Sequence, residues 1–220
     1  MKPFSLEEYQ QLVSISEVLE QDGHGLKVLK TPEGLMVKIF RRKRLVSSAL
    51  LKSYAARFVE NARKLESLGF NTVDIVDVYY CRAIKRALVL YHPLPGETLR
   101  TTLQMREHND ELMERFIQLL ARMHEKGVFF RSCHFGNIIV ATSMDSLGLI
   151  DIADMKILPQ SLSIDRRLRN FRHLIRYAID RESINTFGIE NFVDIYCKSC
   201  QISDSYKIKF IDVLRRDIAE

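Results

Sequence analysis

Phe130-Arg131-Ser132-Cys133-His134-Phe135-Gly136-Asn137-Ile138-Ile139-Val140, followed by Leu149-Ile150-Asp151, is the stretch on which the reading of this chain turns. An apolar strand enters a polar loop, a second leaves it, and after a short turn a third ends in a carboxylate. Such a hairpin sets Asn137 and Asp151 side by side at its mouth. There an amide oxygen and a carboxylate can share a magnesium ion carrying a nucleotide's phosphates. Each of the two abuts an apolar strand, so each must reach solvent or a ligand. The plain alternative is a turn-forming asparagine and a strand-end aspartate. His134, inside the loop, is the one imidazole near the expected phosphates; it reads as a proton acceptor, as a group that orients the loop through a backbone carbonyl, or as merely structural.

Upstream of this stretch the chain is rich in strand signals. Glu17–Glu20 and Leu26–Thr31 read as strands joined by Asp22-Gly23-His24-Gly25, and a Pro32-Glu33-Gly34 turn leads to a third strand, Leu35–Phe40. A helix is predicted from about Ser47 to Leu68, with Leu51, Tyr54, Ala55, Phe58, Ala62 and Leu65 at helical spacing and Gly69 as its stop. Strands at Asp74–Tyr80 and Ala87–Tyr91 follow. His92-Pro93-Leu94-Pro95-Gly96 then breaks the chain between a sheet-rich front and a helical back. Behind it, Asp110–Lys126 is predicted as an amphipathic helix through Leu112, Met113, Phe116, Leu120 and Met123, ended by Gly127. From Asp165 onward the pattern is helical.

Two features of the front half bear on chemistry. The glycines of the Asp22–Gly25 loop, Gly23 and Gly25, would let its backbone lie over phosphates; an ordinary hairpin turn is the alternative. Lys38 alternates with Val37 and Ile39, so it faces the opposite side of its strand. A lysine there needs a counter-charge, and Glu60 on the following helix is the expected partner, with Glu66 as its rival.

Composition bounds the possibilities. The chain has 220 residues, 46% hydrophobic and 28% charged, as expected of a globular domain. It shows neither a transmembrane-length apolar run nor an apolar signal-peptide core after Met1, and its four cysteines suggest no disulfide framework. A reducing cytoplasm is the expected setting. Cys197-Lys198-Ser199-Cys200 lacks a second ligand pair, which argues against zinc. The net charge is only +5, but it is clumped in Lys38–Arg44 and Arg166–Arg176. Such clusters suit the phosphates of a lipid or sugar, or form solvated helix faces. Nucleic acid is not expected, because no aromatic residues interleave with the basic runs.

These residues together resemble the protein-kinase-like superfamily, and within it the compact bacterial lipopolysaccharide core kinases that phosphorylate Kdo or heptose. The resemblance covers most of residues 15 to 180. It implies one α+β kinase-like domain over 1–220: a two-lobed fold with an antiparallel-sheet N-lobe (about 15–91), a linker (about 92–96) and a helical C-lobe (about 97–220). Met36-Val37-Lys38-Ile39 resembles the segment bearing the family's phosphate-contacting lysine, with Glu60 in the partner position. Leu88–Leu99 is similar to the interlobe linker, so Tyr91 and His92 would meet adenine through backbone groups. Arg131–Asn137 resembles the catalytic loop and Leu149–Ala153 the second metal segment, so Asn137 and Asp151 would hold magnesium. The basic helix is similar to one in the core-sugar kinases, where Arg169, Arg172 and Arg176, at spacings of three and four, would face acceptor phosphates. The implied cofactors are ATP and Mg2+. The implied partners are a nucleotide and a lipopolysaccharide core sugar or anionic membrane surface, which adds a peripheral place at the inner membrane.

One departure divides the expectation. Where the family has His-x-Asp, this chain has Phe130-Arg131-Ser132. Serine is neither anionic nor a base at neutral pH, and losing a general base costs roughly 100- to 10,000-fold in rate. The chain is then either a slow phosphotransferase, with Ser132 and His134 at the reacting centre, or a pseudokinase that binds nucleotide or a partner and regulates envelope assembly without turnover. A basic domain that binds no nucleotide is a third reading, against which Lys38, Asn137 and Asp151 weigh.

Overall fold

The computed structural model describes residues 1–41, 53–106, 108–142 and 146–216. The fold is α+β, and the chain divides into two compact units, Met1–Glu66 with Thr72–Leu94, and Ser67–Asn71 with Pro95–Glu220. The division near Pro95 falls in the predicted His92–Gly96 break. The first unit also takes in residues 1–14, ahead of the predicted start.

In the first unit the chain forms β1 (Lys2–Phe4), α1 (Leu6–Ile15), β2 (Glu17–Asp22), β3 (Gly25–Lys30), β4 (Met36–Arg41) and α2 (Tyr54–Ser67). It then passes through the short β5 (Asn71–Thr72) and returns as β6 (Asp74–Cys81) and β7 (Arg86–His92). The sheet order is β1-β6-β7-β4-β3-β2, antiparallel except where β1 pairs in parallel with β6. Ser5 opens α1 with a reciprocal cap: its Oγ accepts the Glu8 N–H at 3.0 Å, and the Glu8 carboxylate accepts the Ser5 N–H at 2.6 Å. Tyr9, Leu12 and Val13 of this helix pack on a core of Leu29, Val37, Ile39, Cys81 and Leu88. The opposite side of β4 meets α2, where Phe58 lies 5.6 Å from the rings of both Phe40 and Tyr91. Period-two alternation along Val37–Phe40 thus feeds two apolar layers. The start of the predicted helix, Ser47 to Leu51, and Arg42, Lys43 and Arg44 of the first basic cluster lie outside the described residues.

The second unit holds β8 (Gly96–Thr98), α3 (Leu99–Met105), α4 (Asp110–Glu125), β9 (Val128–Phe130), β10 (Ile138–Ala141), β11 (Leu147–Leu149) and β12 (Met155–Ile157). Helices α5 (Ile164–Leu174), α6 (Ala178–Phe187), α7 (Ile189–Cys200) and α8 (Lys207–Arg216) follow. Two small sheets, β5-β11-β10-β8 and β12-β9, carry the loops of interest. The apolar face of α4, including Leu112, Met113, Phe116, Leu120 and Met123, is buried as its periodicity predicts. Phe171 anchors the helical core, with ring centroids 4.9 Å from both Tyr196 and Phe210.

Two glycines are required by close approach. Gly96 has φ 135°, and a Cβ there would lie 2.0 Å from the Val140 carbonyl oxygen, where β8 pairs with β10. Gly127, at φ 73°, would place a Cβ 2.4 Å from the carbonyls of Leu158 and Gln160. It therefore ends α4 and also lets the chain leading to α5 pass against it.

Candidate functional site

The loop from Phe130 to Asn137 alternates between core and surface. Phe130, Cys133 and Phe135 are fully buried, whereas Ser132, His134 and Gly136 are partly exposed. Burial pushes the Cys133 thiol up to about 12, so it packs as a neutral group. The Phe135 ring meets Phe116 edge-on at 5.0 Å and so fixes the loop to α4. Its N–H donates at 3.0 Å to Asp180 of α6, a carboxylate with 0% exposure. Asp180 also receives Nε and Nη2 of Arg100, at 2.8 and 3.0 Å, in a two-pronged pair. A buried carboxylate needs such donors, and here they join α3, α6 and the loop.

Asn137 ends a single 3-10 turn, Phe135–Asn137, and is 8% exposed. Its Nδ2 donates to the Ser132 carbonyl at 2.9 Å and lies 3.1 Å from His134 Nε2. Both amide protons are thereby used, and Oδ1 remains the open acceptor. His134 must accept at Nε2, which places its own proton on Nδ1. Burial, aided by the Arg100 guanidinium, lowers its pKa and keeps the ring neutral.

The hairpin forms as the sequence predicts. Ile138 pairs with Leu149, and the Ile150 N–H donates to the Asn137 carbonyl at 3.0 Å. Asp151 follows at once, exposed and left-handed at φ 52°, ψ 44°. Asn137 and Asp151 thus share one end of the hairpin, one an amide oxygen donor and the other a carboxylate. Among the described residues no group of three or more His, Cys, Asp or Glu side chains gathers as a metal cage.

Lys38 stands on β4, between β3 and β7, half-buried on the side away from Val37 and Ile39. Its ammonium lies 5.7 Å from the centroid of the Phe58 ring on α2. Glu60, on the same helix, holds Lys64 at 3.0 Å. Gly23 and His24 form a closed two-residue hairpin, in which the His24 N–H is taken by the Asp22 carboxylate at 2.8 Å. Nothing lies within 4 Å of a Cβ built on Gly23 or Gly25.

One strand boundary moves and one expectation needs correction. The strand expected over Ala87–Tyr91 is β7, which runs from Arg86 to His92; Tyr91 pairs with both Met36 and Ile75, and its ring is buried against Phe58. Arg176 does not share a helical face with Arg169 and Arg172, because α5 ends at Leu174 and Arg176 lies in the turn beyond. Arg169 and Arg172 are exposed on the helix, and Arg169 lies 5.9 Å from the Phe129 ring. Arg176 instead bears on His134 and His173, lowering the pKa of both behind the larger effect of burial.

Sequence reasoning missed the groups that frame the loop. Asp180 and Arg100 are ordinary charged residues of separate helices in the sequence. Behind β9, buried His124 bonds through Nδ1 to the Tyr196 hydroxyl at 2.6 Å and through Nε2 to Asn170 Oδ1 at 3.0 Å. Asn170 Nδ2 donates to the Phe130 carbonyl at 2.7 Å, and buried Arg167 donates to Tyr196, Leu162 and Glu125. Burial lowers the His124 pKa from 6.5 to about 3. A histidine on the apolar face of α4 was the one visible signal. No protein-family model matches the chain, and no curated protein matches it.

Proposed function

We propose that this chain is an ATP- and magnesium-dependent phosphotransferase with a two-lobed protein-kinase-like fold, acting on a lipopolysaccharide core sugar at the cytoplasmic membrane face. The observation that carries the reading is Asn137. Its amide nitrogen is committed to Ser132 and His134, its oxygen is left open, and Asp151 stands at the same hairpin end. In this reading Asn137 Oδ1 and the Asp151 carboxylate hold the metal, and Lys38 contacts nucleotide phosphates. Magnesium, when bound, neutralises phosphate charge and orients the transferred group. Ser132 binds and orients the acceptor hydroxyl without taking its proton. Arg169 and Arg172 face the anionic surface that carries the acceptor. Free, mostly buried cysteines are consistent with a reducing compartment.

One observation favours a second reading, a nucleotide-binding pseudokinase that regulates envelope assembly. His134 Nε2 already faces the Asn137 amide at 3.1 Å, so no base stands ready in the loop to replace the missing carboxylate. Calorimetric titration of ATP with and without magnesium, alongside assays of phosphate release and transfer, decides between the two. Magnesium-dependent binding with transfer supports the enzyme, and binding without transfer supports the regulator. Absence of binding removes both.

A further inference from the structure

Away from the loop, the second unit carries an open cavity of about 350 Å³ where α3, the start of α4 and α6 meet. Its floor is apolar, built by Leu103, Met113, Ile179 and Phe187, of which Leu103 and Met113 are buried. Asn109 holds one wall in place. Its Nδ2 donates to the carbonyls of Leu103 and Arg106 at 2.8 and 3.2 Å and so ties the end of α3 to the start of α4. A cavity of this size, apolar below with a few polar groups at its rim, is the usual form of a small-molecule site.

The charge of the rim is unlike that of the chain. The sequence holds 33 Lys and Arg against 28 Asp and Glu, yet among the described residues no basic side chain lines this cavity, whereas Asp110 of α4 and Glu182 of α6 both do. Both are exposed, and neither carboxylate has an ion-pair or hydrogen-bond partner among the described residues. Asp110 has one local reason for its place, since the first turn of a helix favours a carboxylate. Glu182 lies past the first turn of α6 and has no such reason. Ser183 donates its Oγ–H to the Ile179 carbonyl at 3.1 Å, which leaves the oxygen able to accept. Two carboxylates and a hydroxyl acceptor, from two different helices, thus border one apolar floor.

We propose that this cavity binds an aliphatic diammonium ligand, with its methylene chain on the floor and one ammonium at each of Asp110 and Glu182. The two parts of the site act together. A single exposed ion pair selects a ligand by about fivefold at most. Each methylene taken out of water adds affinity whatever the charge. A short chain with a cation at each end uses both, and a primary amine, like lysine, is protonated at neutral pH. The cavity lies one turn along α3 and α6 from the Arg100–Asp180 pair, at Gln104 and Ser183. Its ligand does not depend on the phosphotransferase reading.

The test titrates the full chain at pH 7 and constant ionic strength with α,ω-diamines from 1,3-diaminopropane to 1,8-diaminooctane, then with the monoamine and the diol of the best-bound length. The readout is the methyl resonances of Met113 and Ile179, assigned with Met113→Leu and Ile179→Val, so cations held elsewhere on the surface do not register. Saturable movement with the best diamine is expected, with binding at least about threefold weaker for the monoamine and none for the diol. Glu182→Gln and Asp110→Asn, exposed changes that keep side-chain size, should each weaken the diamine by about threefold or more. A Lys-Leu-Lys peptide, titrated separately, distinguishes a free diamine from a basic protein segment. Tighter binding by the peptide than by any diamine assigns the cavity to a protein partner and overturns the proposal. So do stationary methyl resonances with every diamine, equal binding of diamine and monoamine, or unchanged diamine binding in both variants.

Discussion

The side-chain amide of Asn137 is tied to the backbone carbonyl of Ser132, 2.9 Å away, and not to its side chain. The frame of the loop is therefore indifferent to which side chain occupies position 132. A carboxylate can be absent there while the amide oxygen of Asn137 keeps its orientation. In the proposed function this separates the two halves of the site: metal-side geometry survives in the backbone, and base chemistry is lost with one side chain.

Asn137→Ala should expose that dependence. Removing the amide deletes two hydrogen bonds, to the Ser132 carbonyl and to His134 Nε2, at a cost of about 2 kcal/mol in stability. It also removes the open acceptor, so thermal stabilisation by ATP should lose its dependence on magnesium. Melting curves with ATP, with and without magnesium, measure both effects. A variant stabilised like wild type would place the metal elsewhere.

Ser132→Asp restores a carboxylate beside the partly exposed mouth of the loop. If the protein is a slow enzyme, a fixed base should raise turnover about tenfold or more, roughly 1.4 kcal/mol of barrier. Phosphate transfer to a core-sugar acceptor is the measurement. A variant that folds and binds Mg-ATP with no gain would favour the regulatory reading.

Acid should destabilise the protein through His124. Its folded-state pKa is about 3, against 6.5 when unfolded. Because the folded value is depressed, the stabilising contribution is complete above pH 6.5 and is lost as the pH falls from there toward 3. The slope approaches about 1.4 kcal/mol per pH unit for this one proton. Denaturant unfolding of wild type and His124→Gln between pH 7 and pH 5 isolates it. The variant should be less stable at neutral pH and its stability less dependent on pH. Parallel curves would refute the assignment.

Arg169 and Arg172 carry the predicted membrane-facing charge, without Arg176. Reversing both to glutamate should weaken binding to anionic liposomes by about 2 kcal/mol at low salt, and by less when salt screens the interaction. Co-sedimentation across a salt series reads this directly. Equal binding by wild type and variant would leave α5 a solvated face.

The elements nearest in sequence were the most legible. Alternation across Val37–Phe40 and the stripe along α4 reported β4 and the buried helix face, because both patterns repeat within a few residues. Helix α1 went unread, although the Ser5-x-x-Glu8 spacing of its reciprocal cap lies within four residues, and the pairing of β1 with β6 joins Lys2 to Tyr79 and leaves no local trace. The hairpin that unites Asn137 and Asp151 was readable from two apolar runs and a short turn. The ion pair that frames it was not, since Arg100 and Asp180 lie 80 residues apart and each resembles any surface charge. Arg176 was misplaced for a different reason. Periodicity gives spacing but not where a helix stops, and α5 stops two residues earlier.

The most direct test of the account replaces magnesium with paramagnetic manganese. In an amide nitrogen–proton correlation spectrum, substoichiometric Mn2+ with ATP should broaden the resonances of Asn137, Ile150 and Asp151, and Mn2+ alone should leave them sharp. Asp151→Asn should weaken the effect of manganese with ATP. Broadening confined to other parts of the chain, or none at a nucleotide concentration that saturates binding, would contradict the claim that this hairpin end holds the metal of a nucleotide complex.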